Sequence, residues 1–265
     1  MGARIIKENI VDISNLSEDI YRLRVKSDYL ANNAKCGQFV NVKCSEGLDA
    51  YLRRPISICD TNKDEGTTDI IFQVKGKGTK LLSELSAGNE IDILGPLGNG
   101  FTLKPAKRAI AVGGGIGIFP LLKLIKDLKG MCEDRTAILG FRNKSYVVLE
   151  DEFTEAADLL KISTDDGSYG IKGFTTTLLE EEILKNKPDI IYSCGPIPML
   201  KGIAKLAEKY DIECEISMEE RMGCGVGACL VCACKTKTPE VEGWQYSRVC
   251  MDGPIFNSRE VIFDG

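Results

Sequence analysis

Short alternations of polar and apolar residues fill the first hundred positions. Asn41 and Lys43 separate Val40, Val42 and Cys44, and Ile91 and Ile93 flank Asp92. A period of two sends successive side chains to opposite faces, as in a strand buried on one side. Turn-forming residues punctuate these stretches: Asn32-Asn33, the polar run 61–66 and Gly98-Asn99-Gly100. Short strands with this punctuation predict an antiparallel barrel or sandwich over residues 1–104, with Leu81, Leu82 and Leu85 on one short helix within it.

The pattern changes near Lys104-Pro105. Arg108-Ala109-Ile110-Ala111-Val112 reads as a short buried strand that runs into Gly113-Gly114-Gly115. Leu121, Leu124, Ile125 and Leu128 then recur at helical spacing on one face. Residues 136–139 and 189–193 are further strand candidates, and Ile203, Leu206 and Ala207 mark another helix. Strands alternating with helices predict a parallel sheet covered on both faces, assigned to residues 105–212. The stretch from 213 to 265 reads as a small cysteine-rich domain, although Ile212, Cys214 and Ile216 alternate with Glu213 and Glu215 at its start. The expected fold is therefore α+β and multidomain: a β-barrel, an α/β domain and a C-terminal cysteine domain.

Composition narrows the chemistry. Histidine is absent, which removes Ser-His-Asp triads, Cys-His pairs and histidine-ligated metals, and leaves cofactor-based redox chemistry open. A net charge of −5 without basic blocks argues against nucleic acid as a partner. No apolar run is long enough for a membrane span, and the opening Met1-Gly2-Ala3-Arg4 lacks a secretory pattern. The chain thus reads as cytoplasmic. Its 11 cysteines are many for a reducing compartment, and five of them fall between Cys224 and Cys250.

Cys224, Cys229 and Cys232 have the spacing C-x4-C-x2-C, with Cys250 further on. That is the spacing of plant-type [2Fe–2S] sites. Gly223, Gly225, Gly227 and Ala228 allow the backbone to wrap a small inorganic core and to point N–H groups at the sulfurs. Four cysteines also suit a tetrahedral zinc, although zinc sites more often show two C-x2-C hairpins. Cys234 is a surplus thiol, left outside the predicted ligand set.

Two glycine motifs point to nucleotides. Gly113-Gly114-Gly115-Ile116-Gly117 lies between a strand and a helix, where a pyrophosphate can approach the backbone and the helix N-terminus. It departs from the G-x-G-x-x-G fingerprint at Ile118, and tight strand-to-helix turns also use glycine for steric reasons alone. Cys194-Gly195-Pro196 ends a later strand at the same carboxyl edge, where α/β sheets gather ligands; a small buried cysteine is the plainer reading. In the β-rich half, Arg54-Pro55-Ile56-Ser57 offers a forked cation and a hydroxyl, and Gly78-Thr79 offers backbone donors for a second pyrophosphate.

R-P-x-S, G-x-G-T, G-G-G-I-G and C-G-P, in that order, resemble the ferredoxin–NADP⁺ reductase superfamily. With C-G-V-G-A-C-x-x-C and the segment Val249-Cys250-Met251-Asp252-Gly253-Pro254-Ile255-Phe256, the chain resembles the electron-transfer subunits of class 1B dihydroorotate dehydrogenases over nearly its whole length. The resemblance implies an FAD domain, an NAD domain and a [2Fe–2S] domain. FAD would be bound by Arg54, Pro55, Ile56, Ser57, Gly78 and Thr79, with Ile71, Phe72 and Gln73 as a further contact stretch. Gly113, Gly114, Gly115, Gly117, Cys194, Gly195 and Pro196 would bind the nicotinamide nucleotide, and Cys224, Cys229, Cys232 and Cys250 the cluster. It also implies a catalytic partner carrying FMN, in an assembly with two copies of each subunit. Arg142 and Lys144 leave NAD against NADP open. Small subunits of NADH-dependent ferredoxin:NADP⁺ oxidoreductases and of sulfide dehydrogenases share these motifs, although the former tend to replace one cysteine with aspartate. A zinc-stabilised binding module is the alternative of another class.

Overall fold

The computed structural model describes residues 2–238 and 243–263. Six strands close an antiparallel barrel: β1 (Arg4–Ser17), β2 (Ile20–Lys26), β3 (Phe39–Val42), β4 (Arg54–Asn62), β5 (Thr67–Gln73) and β6 (Glu90–Leu97), in the order β1-β2-β5-β4-β3-β6. The long β1 closes the ring by pairing with both β2 and β6, and register shifts after Ile10 and Asn15 let it bend. Leu23, Val25, Val40, Ile58, Ile70 and Ile93 fill the interior. Two short helices, α1 (Asp28–Asn33) and α2 (Lys77–Ser83), sit in the connections; α2 stops before Leu85.

The barrel leads into a sheet of β7 (Ala106–Gly114), β8 (Cys132–Phe141), β9 (Leu159–Thr164), β10 (Ile171–Lys172), β11 (Ile190–Cys194) and β12 (Glu213–Ser217). Its helices are α3 (Phe119–Asp127), α4 (Glu150–Ala156), α5 (Thr175–Lys185) and α6 (Ile197–Lys209). The apolar run of β7 serves both faces. Ala109 and Ala111 pack with α3 and α4, while Ile110 and Val112 pack with α5 and α6. That is why the run is continuous rather than alternating. Helix α3 ends at Asp127, with Leu128 as its C-cap.

A buried ion cluster ties α5 to the sheet. The Glu182 carboxylate, almost fully buried, meets Arg108 at 2.7 Å and Lys161 at 2.6 Å, and Arg108 also reaches Asp134 at 3.0 Å. Burial works against the Glu182 charge, but hydrogen bonds from Lys161, Lys185 and Arg108 outweigh it and bring the carboxyl down to about 2.

Beyond β12 come a hairpin, β13 (Ala233–Lys237) with β14 (Trp244–Arg248), and a last strand β15 (Ile255–Asn257). β15 returns to the sheet antiparallel to β12, completing the order β10-β9-β8-β7-β11-β12-β15. The division expected at residue 213 thus falls inside this sheet, since β12 pairs with β11 along its whole length. Cys214 and Ile216 face α6, while Glu215 accepts from the Thr102 amide and Glu213 from Lys104 on the linker out of the barrel. The cysteine segment leaves the sheet only after Met218 and rejoins it at β15.

Strand β3 also departs from the expected alternation. It ends at Val42, before Cys44, and all four of its residues are buried. Val40 and Val42 point into the barrel, whereas Phe39 packs outward with Leu97, Cys232, Val249, Cys250 and Phe256. The outer face of β3 is covered by the cysteine segment, so Asn41 is buried although polar. Among the described residues no helix is long and apolar enough to cross a membrane.

Candidate functional site

The glycine turn and the Cys194-Gly195-Pro196 turn interlock at the carboxyl edge of the sheet. In the β7–β11 ladder Gly113 stands opposite Cys194. Gly115, at φ +55°, starts a single 3-10 turn that leads into α3. A Cβ on Gly117 would lie 2.4 Å from the Cys194 carbonyl oxygen, and one on Gly195 would lie 3.0 Å from the Gly114 nitrogen. A Cβ on Gly114 would lie 3.1 Å from Pro196 Cδ and 2.7 Å from Met199 Sδ. Backbone therefore packs on backbone where a parallel sheet receives ligands. Burial pushes the Cys194 thiol up to about 12, with a hydrogen bond to Ser217 only partly offsetting it. It is a neutral thiol, unsuited to nucleophilic work. Arg142 and Lys144 are exposed beyond β8; the Lys144 ammonium stands 5.6 Å over the Tyr169 ring.

In the barrel, Arg54 opens β4 and its guanidinium lies against Gly78, where a Cβ would come within 2.8 Å of Nε. Gly78 thus lets the cation lie directly on the main chain. The Thr79 hydroxyl braces its own turn, accepting from the amides of Lys75 (2.9 Å) and Gly76 (3.2 Å). Ile56 is buried in the barrel, and Pro55 and Ser57 pair with Asn41 and Phe39 of β3. On β5, Ile71 packs toward the α/β domain and Phe72 into the barrel, its ring stacked on Tyr21 at 6.0 Å. Gln73 donates to Asp19 at 2.7 Å. Arg54 and Gly78 therefore come together, while Ile71, Phe72 and Gln73 are engaged by the protein itself.

The cysteine loop turns at Gly225 (φ +72°) and Gly227 (φ +80°). The amides of Val226 and Ala228 donate to Cys224 Sγ at 3.4 and 3.3 Å, and the Gly227 amide donates to Cys250 Sγ at 3.2 Å. Gly223 acts differently: a Cβ there would lie 3.1 Å from Cys229 Sγ. All eleven cysteines are free thiols. The sulfurs interact with one another: Cys224 with Cys229, and Cys250 with both Cys232 and Cys224. Among the described residues no three side chains are gathered at the spacing of a single metal ion. Burial opposes ionisation of Cys224, yet the amides outweigh it and bring the thiol down to about 6; burial and the neighbouring Cys232 push Cys250 up to about 12. Four thiol ligands with N–H donors aimed at sulfur fit an iron–sulfur cluster. Cys234, on β13 and buried in the same apolar cluster as Cys232, has its thiol raised to about 11, chiefly by burial.

Polar and steric contacts dock this loop on the barrel. Asn41 Nδ2 donates to the Cys224 carbonyl at 3.2 Å, the Asn99 amide donates to Gly253 O at 2.6 Å, and a Cβ on Gly98 would lie 2.5 Å from Pro254 Cδ. Sequence periodicity passes over Asn41, Phe39, Leu97 and Asn99 because it treats β3 as half-exposed and 98–100 as a plain turn. A polar residue inside an otherwise apolar strand was the one available signal.

A closed barrel followed by a glycine-bearing α/β sheet and a cysteine loop defines an oxidoreductase of the ferredoxin-reductase fold. The family described as "Oxidoreductase FAD-binding domain" matches residues 7–101, and "Iron-sulfur cluster binding domain of dihydroorotate dehydrogenase B" matches residues 219–262. A ferredoxin NADP⁺ reductase from Neisseria gonorrhoeae shares the fold, with a TM-score of 0.66 at 16% identity, covering 79% of this chain and 92% of that one. The structure of an NADH-dependent reduced ferredoxin-NADP oxidoreductase superposes with a TM-score of 0.84 at 31% identity, over 96% of this chain and 89% of that one. The chain is 43% identical to the dihydroorotate dehydrogenase B (NAD(+)) electron transfer subunit of Bacillus pumilus over 258 residues, 95% of this chain and 96% of that one. For the Geobacillus sp. (strain WCH70) subunit the identity is 42%, over 93% and 94%. The chain belongs to the family of dihydroorotate dehydrogenase B electron-transfer subunits.

Proposed function

We propose that this chain is the electron-transfer subunit of an NAD⁺-dependent dihydroorotate dehydrogenase of pyrimidine biosynthesis, working in the cytoplasm with an FMN-containing catalytic subunit. The observation that carries this reading is the shared apolar cluster in which Cys232 and Cys250 pack with Phe39 and Leu97 of the barrel. The cysteine site is thereby built onto the barrel beside β4, the strand of Arg54, Pro55, Ile56 and Ser57. A flavin exchanges hydride with a nicotinamide and single electrons with an iron–sulfur cluster, so its place is between them.

The residues supply binding and placement. Arg54 presents its fork beside the glycine backbone at 78, a fit for pyrophosphate, with Gly78 and Thr79 below it. The interlocked turns at Gly113, Gly114, Gly115, Gly117, Cys194, Gly195 and Pro196, with open space at Gly115, offer main-chain groups to a nicotinamide nucleotide. Cys224, Cys229, Cys232 and Cys250 hold the cluster, and the amides of Val226, Gly227 and Ala228 tune it through their bonds to sulfur. No residue here has to act as general acid or base, which suits a chain without histidine. Domain limits follow the strands: the barrel to about residue 104, the nucleotide sheet to Met218, then the cluster segment, with β15 lent back to the sheet.

Val226, Leu230, Val231 and Met251 stand exposed around the cysteines, as do Trp244 and Tyr246 on the hairpin. Apolar exposure beside the electron exit suits a protein partner, in an assembly of two copies of each subunit. Co-purification with the catalytic subunit and an assay of dihydroorotate-dependent NAD⁺ reduction test the proposal. Activity in the joint complex and not in either subunit alone is expected. Activity only with a glutamate-synthase-like or ferredoxin-linked partner would contradict it.

A further inference from the structure

We infer that Asn41 is a positioning residue for electron transfer: its carboxamide, in the strand paired with the flavin-binding segment, anchors the main chain of the first cluster cysteine. The inference rests on the flavin and cluster reading above and concerns the passage between the two.

Asn41 is 1% exposed, in a strand otherwise made of Phe39, Val40 and Val42. On one side its partner is Pro55 of β4, the neighbour of Arg54 and Ile56. On the other side the β3–β6 register shifts between Phe39 and Asn41, a bulge of the kind that re-aims a side chain. The side chain points out of the barrel, where Nδ2 donates to the Cys224 carbonyl at 3.2 Å. Gly225 follows at φ +72°, and a Cβ there would lie 2.1 Å from Asn41 Nδ2. The glycine is therefore shaped to the asparagine as well as to the turn. The other amide atom, Oδ1, is buried and has no hydrogen-bond partner. A barrel built for stability alone would carry an apolar residue here, because an unpaired buried acceptor is unfavourable. Its position leaves an acceptor in the seam between β4 and the cysteine loop, open to an N–H or O–H of a group bound there.

A second side-chain bond crosses the same seam away from Cys224 and Gly225, on the segment that follows Cys250: Asn99 Nδ2 donates to the Asp252 carbonyl at 2.9 Å. It supplies the control. N41L and N41D remove the donor at nearly constant size, and N99A loosens the seam elsewhere. Full-length chain carrying FAD and the cluster is mixed with NADH anaerobically, following flavin absorbance and freeze-quenched EPR, with the cluster potential measured by redox titration. In both Asn41 variants flavin bleaching stays within about twofold of wild type, while cluster reduction slows about tenfold and the EPR line shape and midpoint shift. N99A behaves as wild type in all three readouts. Asn41 variants with wild-type cluster reduction and spectrum would overturn the inference, as would N99A matching them, including equal loss of iron. Loss of iron from the Asn41 variants alone would support it. A wild-type chain whose flavin bleaches while its cluster stays oxidised would instead break the functional reading, and the inference with it.

Discussion

The glycine turn of the α/β domain and the cysteine loop both rely on glycine, yet they are completed by different means. At the turn, Gly117 and Gly195 let backbone touch backbone, Gly114 makes room for Pro196 and Met199, and the strands beneath are buried on both faces. Folding alone finishes that site. The cysteine loop has exposed Val226, Leu230 and Val231, two left-handed glycines, and apolar support from Phe39 and Leu97 of another domain. Its four thiols, drawn from both ends of the segment, are of the kind that a bound cluster ties together. One site is a product of the core, the other a product of its ligand and its neighbour.

The most severe test of this contrast is Cys250→Ser, or removal of the iron. Cluster reduction should be lost and proteolysis should open the loop near Val226 and Leu230, while far-UV circular dichroism of the sheet persists. Cleavage unchanged by iron removal would show that the loop is finished by folding too. On the other side stands Glu182→Gln, which strips the charge from the buried cluster under the sheet and should lower stability by about 3 kcal/mol, read as a fall in Tm. Because the folded-state carboxyl lies below its ordinary value, its contribution is fully present above about pH 4.5 and is lost as pH falls toward about 2. The variant should flatten that acid limb of the stability profile and leave the cluster spectrum unchanged.

Gly117→Val comes next. Its side chain would press on the Cys194 carbonyl and should slow NADH-dependent flavin bleaching by roughly 10- to 100-fold, since small displacements at a reacting centre have effects of that size. Chemical reduction of the cluster should be untouched. Arg54→Ala, between the two regions, should weaken FAD by about tenfold through loss of a charge-assisted contact, measured by flavin release on dilution. Equal damage to nicotinamide binding would mean that Arg54 serves the turn instead.

Where a segment's surroundings repeat along its own length, the sequence was readable. The strands at 108–112 and 189–193, the α3 face and the C-x4-C-x2-C spacing belong to this class, because period and spacing are local properties. What escaped depends on distant chain. Asn41 reads as a solvent-facing strand residue until residues 224–225 cover it. Glu213 and Glu215 alternate with apolar residues as in a half-exposed strand, whereas the barrel linker crosses that face of β12. β15 was invisible as a sheet strand, since its partner lies some forty residues earlier and no periodicity links the two. The amide donors of Gly227 and Ala228 matched their glycine-rich context, while Gly223 and Gly225 turned out to make room for Cys229 and Asn41.

The central claim is an internal path from nicotinamide through flavin to the cysteine site. Anaerobic addition of NADH to the purified, cofactor-loaded chain, followed by visible absorbance and EPR in one sample, tests it most directly. Bleaching of the flavin band together with the EPR signal of a reduced [2Fe–2S] cluster is predicted. A colourless protein carrying zinc on Cys224, Cys229, Cys232 and Cys250, or a flavin that bleaches beside an EPR-silent oxidised cluster, would contradict it.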